Sequence, residues 1–244
     1  SFENALSNAQ NLVKFYPNSV SSKLILVRVL AESGNTEEAF KIIDSLDNQN
    51  GDVLSLRNEI IARGTKDVGV LEKQLETDAK SATILGRLCI LTRTIPAKAI
   101  EYCRRASEVE PTSVSHAVGF GAALVQAKQF ENAVKLFRHL LSFEPENYAI
   151  HANLATALFE LKRYAEAKPE FQWLINKKPD LAVAYYFLAI AHDNLAEYSY
   201  AQSNYQKFLQ IADAQQNQLE IDKVNLRLPT LEKQIKAGKG KGKK

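Results

Sequence analysis

Within residues 114–147 the apolar side chains fall into two groups, Ala117, Phe120 and Leu124, then Phe130, Ala133, Val134, Phe137 and Leu140, spaced three or four apart. That spacing puts each group on one face of an α-helix. The break at Ala127-Lys128-Gln129 separates them, so the segment predicts a helical hairpin. Pro111, Pro145 and Pro179 close successive segments of this kind. A proline lacks an amide donor and clashes with the preceding turn, which stops a helix. Ser113, Asn147 and Asp180 follow as candidate N-caps of the next one.

The prolines return every 34 residues, and core positions return with them: Ala133, Ala167 and Ala201; Phe130, Tyr164 and Tyr198; Phe137, Phe171 and Tyr205. A hairpin that cannot bury its own apolar face gains stability by stacking on an equivalent neighbour, so such a period predicts a repeat array. Phe120-Gly121, Leu154-Ala155 and Leu188-Ala189 add a large–small pair at a fixed place in each first helix. With that pair, the alanine, the aromatic and the terminal proline, the chain resembles the tetratricopeptide repeat family. The resemblance implies an all-α fold, a right-handed superhelical solenoid of antiparallel helical hairpins.

The same frame organises the rest of the chain into one domain, 1–235. Pro17 and Ala5 keep the alanine-to-proline distance, so 2–17 is expected to be the second helix of a half-repeat. Residues 20–53 keep Leu26, Gly34, Ala39 and Leu46, with Gly51 in place of the proline. Register is lost over 54–79, where Gly64 and Gly69 interrupt, and this stretch is expected to be a degenerate hairpin. Residues 80–113 recover the pattern with one extra residue between Gly86 and Ala99, placing Pro96 in the first turn of a helix. Regular repeats follow at 114–147, 148–181 and 182–215. Pro169 falls inside a predicted second helix, where about 3 kcal/mol would be lost in the interior, so a late start or a kink is expected there. Residues 216–235, with Leu219, Ile221, Val224, Leu228, Leu231 and Ile235, resemble the family's capping helix, and 236–244 reads as a disordered Lys/Gly tail.

Charge changes the picture once it is located. The formal net charge is +3, but five lysines lie in the last nine positions, and removing those five leaves −2 for the body. A basic face for nucleic acid is therefore disfavoured. The apolar runs are too short to span a bilayer. Cys89 and Cys103 are the two cysteines; they suit two small buried residues, or a disulfide across one hairpin under oxidising conditions. The opening Ser1-Phe2-Glu3-Asn4-Ala5 has neither an initiator nor a leader, so an upstream segment is expected to have been removed. The compartment stays open, cytoplasmic or periplasmic in a bacterium.

No metal-ligand spacing, phosphate loop or nucleophile elbow occurs, and no enzyme, cofactor or metal is expected. His151 and His192 fall near large-residue positions of first helices, where partial burial is the simpler role. Glu37-Glu38 reads as a helix opening. The resemblance implies that a partner segment lies on the faces of the first helices. It assigns that face to Arg28, Arg87, Val118, Ala122, Val125, Asn153, Thr156, Phe159, Tyr186, Phe187, Ile190 and Asp193. These grade from basic to apolar along the chain, with packing as the competing role for Val118, Val125 and Phe159. The family's carboxylate-clamp residues are absent, and a single Asn153 stands where backbone-holding members carry an asparagine ladder. The expected function is a non-catalytic scaffold for a protein or peptide partner; the alternative is a homo-oligomer assembled through open repeat ends.

Overall fold

The computed structural model describes residues 2–47, 50–64 and 66–240. It is all-helical, with no strand among those residues. Two compact units divide the chain, Ser1–Thr112 and Ser113–Lys244.

The first unit contains α1 (Phe2–Phe15), α2 (Val20–Glu32), α3 (Thr36–Ile43), α4 (Gly51–Gly64), α5 (Val68–Thr77), α6 (Ala82–Leu91) and α7 (Pro96–Val109). Helices α1, α2 and α3 pack in sequence, α4 joins α2 and α3, and both α4 and α5 lie against α6, which pairs with α7. One apolar cluster joins Val27, Leu30, Ala39, Ile43, Val53 and Ile60. A second joins Ala62, Leu71, Ile84, Leu85, Leu88 and Ala106. The segment that loses register still forms two helices. Asp67 caps the second of them by accepting from the amides of Gly69 and Val70, and Gly64 is the last residue of the first. Glu37 and Glu38 lie in the first turn of α3 as expected.

The second unit contains α8 (Val114–Gln126), α9 (Phe130–Leu141), α10 (Tyr148–Glu160), α11 (Tyr164–Lys177), α12 (Ala182–Asn194), α13 (Tyr198–Ile211) and α14 (Gln218–Lys236). Each helix packs on its predecessor, and α8 also touches α10. Ser113 and Asn147 cap α8 and α10 through their side chains. Asp180 does not cap: α12 begins one residue later than that role requires, with Leu181 at the cap. Pro169 neither delays nor splits α11, which starts at Tyr164 and carries the proline in its second turn. The carbonyl its missing amide would have served lies near the helix start, and Pro169 itself is exposed, so solvent can satisfy it.

The hairpin turns share one device. Gly34, Lys128, Lys162 and Ala196 hold positive φ of 82°, 59°, 58° and 58°, and all four occupy the fifteenth place of their repeats. The following residue donates its amide to the carbonyl five residues back, as in Gln129 to Leu124, Arg163 to Leu158 and Glu197 to His192. This is the Schellman termination, which needs a left-handed residue. The α6–α7 turn lacks it. There the extra residue lets Thr92 to Ile95 turn by a three-residue hydrogen bond instead, and Cys89 on α6 is disulfide-bonded to Cys103 on α7. After α14 a turn follows in which Gly238 and Lys239 bond back to Ile235 and Gln234. The expected tail thus begins within α14, and residues 241–244 lie outside the described residues.

Candidate protein-binding faces

In the first unit, α2 and α4 enclose an open cleft of ≈ 420 Å³ lined by Ser21, Leu24, Ile25, Arg28, Val29, Glu32, Asp52, Ser55 and Leu56. Leu24 and Arg28 are the fifth and ninth places of the repeat, so this face is the one that the resemblance implies. Ile25 is 48% exposed, although an isoleucine would contribute about 1.5–3 kcal/mol if fully buried. Arg28 reaches Glu59 at 3.7 Å, and Glu59 also holds Arg63. The cleft is therefore not basic. Glu32 and Asp52 line it too, and Glu59 answers the charge of Arg28. Arg87 is half-buried on α6.

In the second unit, Val118, Ala122 and Val125 on α8 and Asn153 on α10 are half-buried, and Thr156 is exposed. Asn153 donates its side-chain amide to the Ala149 carbonyl at 2.8 Å, and Thr156 its hydroxyl to the Ala152 carbonyl at 2.9 Å. Both polar groups turn back on their own helix. A shallow cleft of ≈ 310 Å³ opens where Val118 faces Ala149 and Glu144.

The aromatic residues behave differently. Phe159 and Phe187 meet edge to face with centroids 4.9 Å apart, and Phe171 stacks on Phe187 at 5.8 Å. These rings join α10, α11 and α12, so Phe159 and Phe187 serve packing between hairpins. Tyr186 is only 8% exposed and lies with Tyr205, Phe208, Val224 and Leu231 in the core that α14 completes. Little of its ring is left to meet a partner. Ile190 packs against the same cluster, and Asp193 is engaged by Arg227 of α14 through two hydrogen bonds of 2.7 Å. The chain's own last helix covers the face of the last hairpin.

A tetratricopeptide-repeat family profile matches residues 124–191, the span of the most regular hairpins. Residues 124–191 are tetratricopeptide repeats. Solved structures with this fold include a MamA point mutant, 21% identical with a TM-score of 0.57, covering 66% of this chain and 99% of that one. MamA MSR-1 is 20% identical with a TM-score of 0.57, covering 64% and 92%. MamA residues 41-end from Desulfovibrio magneticus RS-1 is 21% identical with a TM-score of 0.54, covering 64% and 92%. At such identities the likeness concerns the fold. A search of curated proteins finds no significant match. Among the described residues, no helix is long and apolar enough to cross a membrane.

What the sequence did not disclose is how α14 divides the expected face. A register for α14 against α12 cannot be read from its apolar spacing alone, because Ile221, Val224, Leu228 and Leu231 would suit several rotations. The missed signal is Arg227, 34 residues after Asp193, the one cation of α14 placed a full repeat beyond an acid.

Proposed function

We propose that this tetratricopeptide-repeat protein is a non-catalytic scaffold that binds a segment of another protein on its first-helix faces. The α2–α4 cleft carries the reading: it leaves Ile25 half in water beside Leu24 and Leu56, in a repeat whose other large apolar side chains are buried or half-buried. An apolar anchor of the partner fits this floor, and a polar rim of Arg28, Glu32 and Asp52 would select its flanks. In the second unit the reading uses Val118, Ala122, Val125, Asn153 and Thr156. Tyr186, Ile190 and Asp193 lie outside it, engaged by the chain's own last helix or the core it completes.

A displayed peptide library selected on the intact chain tests this. Enriched peptides should lose at least about tenfold in affinity, about 1.4 kcal/mol, with Ile25→Asp or Val118→Asp, and keep it with Glu101→Lys on the exposed side of α7. Peptides that bind all three variants equally would defeat the assignment.

A second reading is self-assembly, favoured by large apolar side chains exposed on α1 and α14, with Phe15 78% and Leu226 80% exposed. Singly scattered residues of this kind are ordinary, so it ranks behind. Sedimentation over a range of concentrations decides it. Association that Leu226→Glu abolishes would establish it, and a constant monomer would remove it.

A further inference from the structure

His151 stands at the fourth place of its repeat, where the neighbouring hairpins of the same unit carry Ala117 and Tyr185. It is 8% exposed. Its ring stacks on Trp173 of α11 with centroids 3.8 Å apart and planes 17° from parallel. Nδ1 lies 2.5 Å from a carboxylate oxygen of Glu170, also on α11, and Nε2 lies 2.9 Å from the Pro145 carbonyl in the turn before α10.

Both ring nitrogens thus face acceptors. A neutral imidazole has one N–H, and its second nitrogen would turn a lone pair toward an oxygen; only the imidazolium donates twice. An indole face beneath the ring also favours a cation. Elsewhere a buried polar ring at a core position would be a cost without return, and repeats with Ala117 or Tyr185 there show that the fold itself does not require it.

We propose that His151 is a proton-operated latch within the second unit. Protonated, it ties Glu170 on α11 to Pro145 in the α9–α10 turn, across the junction of the hairpins 114–147 and 148–181. Loss of the proton undoes one tie and leaves a nitrogen and an oxygen in mutual repulsion. The charged neighbours are Glu170 and Lys177 from α11 and Glu146 from the turn, with Lys177 bonded to Glu146 at 2.6 Å and 5.2 Å above the Trp173 ring. Tyr148 flanks the same indole from α10. His116 on α8 and His139 on α9 are the other titratable rings on helices packed against α10, so the test substitutes His151 alone.

The chain has one tryptophan, so its emission reports this stack. Intact protein, His151→Phe and Glu170→Gln are followed from about pH 5 to about pH 8, where histidine changes charge, by Trp173 emission and thermal unfolding. The wild type should show a sigmoidal emission change, with Tm falling as the ring loses its proton. His151→Phe should be flat, and Glu170→Gln, which removes the carboxylate tie, should shrink both changes. Nitrogen NMR of the ring should show both nitrogens protonated at the acid end. A single protonated nitrogen there, a flat wild-type emission, or changes of undiminished size in Glu170→Gln overturns the latch, the last even if His151→Phe fails to fold.

Discussion

Arg227 and Asp193 form a two-pronged ion pair, Nε to one carboxylate oxygen and a terminal nitrogen to the other, both at 2.7 Å. The pair joins α14 to α12 beside the apolar contacts of Val224 and Leu231. The planar guanidinium fits the carboxylate in one orientation, so the pair sets the rotation of α14 as well as its attachment. Asp193→Ala leaves the Arg227 charge partly buried without its partner and should cost about 2–3 kcal/mol. A cycle completed with Arg227→Leu should show positive coupling in chemical denaturation. Equal costs that simply add would mean that the apolar contacts alone hold the helix.

Gly121 and Phe137 predict a second effect. A Cβ on Gly121 would come within 2.4 Å of the Phe137 ring, and that ring is fully buried. The equivalent places carry Ala155 and Ala189, so the small residue is a packing requirement whose severity differs between repeats. Gly121→Ala raises helix propensity yet should destabilise by about 1–3 kcal/mol through overpacking. Restoration by Phe137→Leu in the same background would check the cause.

Most of the architecture could be read from residues that repeat, and little of the site could. The hairpins 114–147, 148–181 and 182–215 follow from alanine, aromatic and proline positions, because each such residue is dictated by contacts inside its own repeat. Partner-facing residues have no such local dictate. Phe159 and Phe187 share the register of a binding face and are nonetheless taken up by contacts with Phe171. Tyr186 is withdrawn by α14, an element outside the repeat pattern. Arg28 looked cationic in isolation, since nothing in its own helix foretold Glu59 on α4. The α6–α7 bridge was similarly open, because an extra residue in the turn sets how two helices slide.

The left-handed positions give a stabilisation test. Lys128, Lys162 and Ala196 hold φ near 59°, where Gly34 serves the α2–α3 hairpin. A side chain in this region costs about 1–2 kcal/mol, and glycine relieves it while giving back part through unfolded-chain entropy. Lys128→Gly and Lys162→Gly should each raise stability by about 0.5–1 kcal/mol and add when combined, being in separate hairpins. Destabilisation would show that the lysine stems contribute contacts exceeding the strain.

The Cys89–Cys103 bridge closes a separation of 14 residues. Closing a loop of this size in the unfolded chain stabilises by about 3 kcal/mol in the entropic account. Cys89→Ser with Cys103→Ser should therefore lower the unfolding midpoint of the first unit, and a reductant should do so in wild type but not in the double variant. A midpoint indifferent to both would mean that the two sulfurs are not joined in the folded protein.

Acid should act through Glu166. Hydrogen bonds from Arg163 and then Arg138 hold its carboxyl down to about 2 from an ordinary 4.5. Since the folded value lies below the unfolded one, the contribution is complete above the unfolded value and is lost as pH falls through about 2. The side chain is 42% exposed, so water and salt screen the interaction and its yield is modest. Glu166→Gln should therefore lose less stability than wild type on acidification below the ordinary carboxylate value. The difference between the two should shrink in about 1 M salt, where the screening length falls to about 3 Å. Parallel acid profiles of the two proteins in dilute buffer would show that the arginines contribute nothing through this carboxylate.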